Sequence, residues 1–192
     1  TARVDFATFS GHKFHAVRGV GFVYKKAGKK ITPLLTGGGQ EKDFRSTTEN
    51  VAGIASMAKA LRLVTDKEEF SLPKIAKMKK IIFDELAKYE DITIFSGEGE
   101  DFAPNILTFG IKGVRGEVIV HAFEEHQIYI STTSACSSKA GKPAGTLISM
   151  GVPTKLAQTA VRISLDDDND MGQVEQFLTI FKQVYAKTQK VR

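Results

Sequence analysis

The sequence is short of several things, and each shortage narrows what the protein does. A single cysteine in 192 residues, Cys136, excludes an internal disulfide. No apolar run approaches the roughly 20 residues of a membrane-spanning helix, and no leader pattern opens the chain. A reducing, cytoplasmic setting away from membranes is the expectation. A block of one charge is also missing, because the net charge of +5 comes from 27 Lys and Arg scattered among 22 Asp and Glu. Nucleic-acid binding would need clearer clustering. There is no internal repeat, no low-complexity segment and no expected metal site. What remains has ample apolar content for a packed core. The start, "TARVDFATF", already alternates and has no methionine, so a piece of a longer protein is expected.

Hydrophobic periodicity divides the chain. Val4 and Phe6 alternate with polar neighbours as a half-buried strand does, and Val20, Phe22 and Tyr24 repeat that period of two. Two strands therefore flank the bend "SGHKFHAVRG". The glycine-rich "TGGGQEKDFRSTTEN" then runs into Ser46-x-x-Glu49, which predicts a capping box for a helix with Val51, Ile54, Ala55, Ala58 and Leu61 on one face. That helix is expected to end near Val64. After the polar "TDKEEFSLP", a second helix carries Ile75, Met78, Ile82, Leu86 and Tyr89, and a domain boundary is placed near residue 68.

Beyond it the elements alternate: strands "ITIF" and "NILTFGI", helix "GEVIVHAFEEH", strand "IYIST", a long polar loop, one or two short helices and strand "VRISL". A last helix holds Val174, Phe177, Leu178, Phe181, Val184 and Tyr185, with Asp170-x-x-Gln173 as its cap. Strands interleaved with helices predict α/β or α+β architecture.

Lys13 lies in the first bend. A lysine between strands is ordinarily a solvated charge. Here Gly11 and Gly19 permit close backbone approach, and Ser10 and His12 offer donors that could face a phosphate. A lysine amine so held can react with an aldehyde cofactor if its surroundings lower its pKa.

Cys136 and Arg162 are the other candidates. Free cysteine is usually a small buried hydrophobe. "STTSACSSKAGKP" is instead a polar loop with Lys139 and Lys142 close by, a setting that favours an exposed thiolate. His15, His121 and His126 have no comparable context and read as structural or surface residues.

"SGHKFHAVRGVGFVY" resembles the pyridoxal-phosphate lysine segment of the class V aminotransferases, and of the cysteine desulfurases among them. "GGGQEKDFRSTTEN", "STTSACSS" and "VRISL" agree in order and approximate spacing, so the resemblance spans residues 10 to 165. It implies the C-terminal part of a fold-type I pyridoxal-phosphate transferase. Residues 1–68 would be a remnant of the large cofactor domain, and 69–192 the small α/β domain bearing the cysteine loop.

The resemblance further implies that Lys13 carries pyridoxal phosphate covalently and that Ser10 and His12 hold its phosphate. Thr48 would reach the phosphate of a neighbouring subunit in a homodimer. Cys136 would be the nucleophile that takes sulfur from L-cysteine and hands it to a scaffold or acceptor protein, for iron-sulfur clusters or thiolated cofactors and tRNA. Arg162 would bind the substrate α-carboxylate, to which a bidentate guanidinium is suited.

Ala16, Val17 and Arg18 depart from the family's usual Gly-Pro-Lys, and Thr47 and Thr133 stand where it usually has glycine, so reshaped loops are expected there. The ring-stacking residue, the aspartate for the pyridine nitrogen and the phosphate-binding helix start lie upstream of the lysine in relatives. None can be placed before Ser10, and the chain alone is expected to be inactive. Two other readings compete: another pyridoxal enzyme, such as an aminotransferase or selenocysteine lyase, or a non-catalytic module that docks a sulfur acceptor or a subunit.

Overall fold

The computed structural model describes residues 3–99, 101–132 and 145–189. The chain divides into two compact units, Thr1–Glu69 and Phe70–Arg192.

In the first unit β1 (Phe6–Ser10) and β2 (Gly21–Lys25) form an antiparallel ribbon in which Phe9 faces Phe22 and Ser10 faces Gly21. The Phe9 and Phe22 rings stack at 4.6 Å, and Phe14 meets Phe22 edge-on at 6.3 Å. The expected pair of strands around Lys13 is thus present. A two-stranded ribbon offers little surface for burial. Accordingly the expected apolar face of the following helix stays open, with Val51, Ile54 and Leu61 all exposed.

That helix, α1 (Val51–Leu86), differs from expectation at both ends. Its start is capped by Asn50, whose Oδ1 accepts a hydrogen bond from the Gly53 amide at 3.0 Å, and Ser46 does not serve as the cap. It does not stop near Val64 but continues through the polar stretch to Leu86. Residues 65–69 include no glycine or proline, and polarity there marks a solvated surface, which a helix tolerates. Pro73 sits inside the helix and lacks the amide that would bond the Glu69 carbonyl. The missing rung falls where the two units divide.

The second unit is built on a four-stranded antiparallel sheet in the order β3 (Ile92–Ile94), β4 (Ile106–Ile111), β6 (Ala160–Ser164), β5 (Ser131–Thr132). Leu107, Phe109, Ile111, Val161 and Ile163 project from one face, as the strand period of two requires. Against them pack Met78, Ile82 and Leu86 of α1, Ile119 and Phe123 of α2 (Gly116–Glu124), and Val174, Phe177, Phe181 and Val184 of α5 (Met171–Gln189). The 3.6-residue period of α1 and α5 put those side chains on one stripe.

A smaller cluster joins Leu147 of α3 (Gly145–Ser149), Ala157 of α4 (Thr154–Ala157) and Ala160. The cap of α5 is reciprocal, as expected: Asp170 Oδ1 accepts from the Gln173 amide at 2.9 Å, and Gln173 Oε1 accepts from the Asp170 amide at 3.2 Å. The expected strand "IYIST" is shorter than its pattern. Gln127 takes a left-handed conformation (φ 59°), and the Ile128 amide bonds the Phe123 carbonyl at 3.1 Å. The chain is held to the end of α2, so only Ser131 and Thr132 reach the sheet.

Candidate functional site

The Lys13 turn follows directly from the ribbon. Gly11–Phe14 form a single 3-10 turn at the end of β1. The Gly11 amide bonds the Val20 carbonyl at 2.9 Å, and the Ala16 amide bonds the Gly11 carbonyl at 3.0 Å. A Cβ at position 11 would lie 2.9 Å from the Val20 oxygen and 3.1 Å from Ala16 Cβ, so only glycine fits. This seals the inner side of the turn and leaves Ser10, His12 and Lys13 exposed on neighbouring residues. His15 closes the turn at φ 69°, and the Val17 amide bonds Ser56 Oγ of α1 at 3.4 Å.

Gly19 has a different task from the one expected of it. Nothing lies within 4 Å of where a Cβ would stand, but its φ of 83° is left-handed. It serves conformation, not close approach.

Thr48 is exposed in the segment preceding α1. The glycine-rich loop before it is strained: Glu41, Lys42 and Asp43 have φ of 49°, 56° and 65°. Left-handed backbone costs a non-glycine residue roughly 1–2 kcal/mol. Thr47, the residue expected to reshape this loop, is not among the left-handed positions. Gln40 Oε1 is buried with no hydrogen-bond partner among the described residues. Strain and an unmet polar atom thus fall in one loop among the described residues. Sequence reasoning quoted this loop but did not single out Gln40.

In the second unit Arg162 sits on β6 opposite Thr108 of β4 and Ser131 of β5. Its neighbours Val161 and Ile163 face the large core, so Arg162 and Thr108 emerge on the other sheet face. Arg162 Nε is buried and has no partner among the described residues. A guanidinium with an unused donor in a polar row of Thr108, Arg162 and Ser131 fits a carboxylate acceptor. The two flanking hydroxyls were legible as strand partners only once the register was known.

Cys136, Lys139, Lys142 and Thr133 lie outside the described residues. His121 is a surface residue, its Nδ1 2.8 Å from Glu124 Oε2. No group of three or more His, Cys, Asp or Glu among the described residues could hold a metal, and no described helix is long and apolar enough to cross a membrane.

Pyridoxal phosphate needs an amine for its aldehyde and donors for its phosphate. The sealed turn offers both, with the Lys13 amine and the Ser10 and His12 side chains exposed within four residues.

The comparisons with known proteins are consistent along the chain. A NifS/IcsS protein homolog of Lactobacillus delbrueckii is 47% identical over 191 residues, covering 100% of this chain and 50% of its own length. The cysteine desulfurase IscS of Dictyoglomus turgidum is 35% identical over 162 residues, covering 84% of this chain and 41% of its own. Among solved structures, the NifS-like protein of Rickettsia africae superposes with a TM-score of 0.81 at 32% identity, over 95% of this chain and 48% of that one. The chain therefore spans about half the length of the curated relatives it matches. Its α/β fold is that of the NifS-like proteins over that half. Residues 1–177 match the aminotransferase class-V family, and the chain belongs to that family.

Proposed function

We propose that the protein to which this chain belongs is a cysteine desulfurase, taking sulfur from L-cysteine, leaving L-alanine and holding the sulfur as a persulfide on Cys136. The observation that supports this most is the similarity along nearly the whole chain to proteins named cysteine desulfurase, with Lys13 displayed on a turn only glycine can seal.

Lys13 would carry pyridoxal phosphate, with Ser10 and His12 donating to its phosphate and Thr48 reaching across to the phosphate in a second subunit of a homodimer. When bound, that cofactor withdraws electrons from the substrate's carbon atoms. Arg162 holds the substrate carboxylate with two parallel hydrogen bonds, flanked by Thr108 and Ser131.

The Cys136 thiolate attacks the substrate sulfur. A sulfur–sulfur bond forms, the carbon–sulfur bond breaks, and its electron pair stays on carbon. Lys13 returns a proton to that carbon, and alanine leaves. The persulfide then passes to an acceptor or scaffold protein in the cytoplasm, for iron-sulfur clusters or thiolated cofactors and tRNA.

The test uses the full-length protein. Mass spectrometry after incubation with cysteine should show one added sulfur on Cys136 and none in Cys136→Ser, because a serine hydroxyl is a far poorer nucleophile toward sulfur than a thiolate. Wild-type sulfur transfer by Cys136→Ser overturns the assignment.

A further inference from the structure

Lys79 is placed where lysines are rare. It lies on α1 at helical spacing from Ile75, Ile82 and Leu86, on the buried stripe, and is itself only 6% exposed. Its Nζ donates to the Ala103 carbonyl at 2.9 Å and to the Gly97 carbonyl at 3.3 Å, both in the loop joining β3 to β4. An ammonium has three donors, so one is without a partner among the described residues.

Beside it opens a cavity of about 300 Å³. This is at the lower end of the roughly 300–1,000 Å³ typical of small-molecule sites. Phe83, Phe102 and Pro104 supply apolar walls, and the Phe102 ring lies so close over Gly97 that a Cβ there would come within 2.5 Å of it. Glu98 and Lys80 stand on the lining, paired at 3.2 Å, and Lys80 Nζ lies 5.8 Å from the Phe83 ring centre. Among the described residues the cavity thus joins a buried cation with an unused donor, a carboxylate and aromatic walls.

We infer that this cavity binds a free α-amino acid with an apolar side chain. The ligand carboxylate takes the remaining Lys79 donor, its ammonium meets Glu98, and its side chain lies against Phe83, Phe102 and Pro104. Lys80 is already shared by Asp84 and Glu98, so a simple amine would be repelled chiefly by Lys79, and a simple carboxylic acid by Glu98. A zwitterion satisfies both signs at once. Burial lowers the pKa of Lys79, with Glu98 opposing the shift.

Isothermal calorimetry on the full-length protein to which this chain belongs tests this with L-phenylalanine, 3-phenylpropionate and 2-phenylethylamine. Saturable binding of L-phenylalanine is expected, with each single-charge analogue weaker by about tenfold or more. Glu98→Gln should bring 3-phenylpropionate level with L-phenylalanine, and Lys79→Met should remove the preference for a carboxylate. If Lys79→Met does not fold, Glu98→Gln and Phe102→Ala decide, since Phe102→Ala should weaken L-phenylalanine without altering the charge preference. Absence of saturation, equal binding of all three probes, or binding unchanged in Glu98→Gln and Phe102→Ala overturns the inference. Loss of binding in Arg162→Lys would assign the ligand to the β6 site and overturn it equally.

Discussion

Glu85 near the end of α1 and Lys182 of α5 meet at 3.2 Å, and the same carboxylate takes Lys88 at 2.6 Å. Glu85 is mostly covered, with 12% of its side chain exposed, while both lysines reach solvent. The hydrogen bond from Lys88 is the main cause that holds its pKa below the ordinary glutamate value, with Lys182 adding to it and burial opposing. A group whose pKa is depressed by folding stabilises fully above its unfolded value, about 4.3, and loses that contribution as pH falls through the lower folded value. Glu85→Gln should therefore cost up to about 1 kcal/mol at neutral pH and nothing once the wild-type carboxylate is protonated. Denaturant midpoints followed by the near-ultraviolet dichroism of Tyr89 and Tyr185, measured from pH 7 down to pH 3, check this. An equal cost at both ends removes the ion pair as the cause.

Phe181 is the hub of the aromatic core in the second unit. Its ring lies 5.3 Å from Tyr89, 5.9 Å from Tyr185 and 6.3 Å from both Phe109 and Phe177, and it is fully buried. Phe181→Ala should cost about 3–5 kcal/mol, read as a loss of denaturant midpoint with an unchanged slope. A cost under about 1 kcal/mol would mean that the site collapses around the missing ring.

If Arg162 holds the substrate carboxylate as proposed, Arg162→Lys should weaken cysteine binding by the full-length protein, because one ammonium cannot reproduce two parallel hydrogen bonds. Each charge-assisted bond is worth about 1.5–3 kcal/mol, so a rise in KM of tenfold or more is expected. Unchanged KM and kcat would remove Arg162 from the substrate site.

The first unit exposes Phe6, Phe9, Val23, Ile31, Leu34 and Leu35, and among its described residues only a few small ones are buried. The 192-residue chain should self-associate with rising concentration, since open apolar patches larger than a few hundred Å² are unusual on stable monomers. Light scattering that gives a monomer mass at every concentration counts against this. The same chain should show no strong absorbance band from lysine-bound pyridoxal phosphate. A band that disappears in Lys13→Ala would show that the chain suffices to hold the cofactor.

Local patterns along the chain determine much of this protein. Alternation around the bend determined the ribbon that carries Lys13, and the buried stripe Ile75, Met78, Ile82 and Leu86 followed from a period of 3.6. The Asp170 and Gln173 cap followed from a four-residue motif, since capping depends on neighbours along the chain. Lys79 was legible in part, because it shares the spacing of that stripe, although nothing local reveals that two loop carbonyls receive it.

Other features were decided only by tertiary structure. α1 runs on through residues 65–73 because helix continuity tolerates solvated side chains and one missing bond, so polar composition was a poor guide to its end. Asn50 displaced Ser46 as the cap because the cap is set by where the backbone turns helical. Arg162 gained Thr108 and Ser131 as partners through strand register, which joins residues 54 and 31 positions away in the chain. Register depends on which faces are buried together, and no window of sequence contains that information.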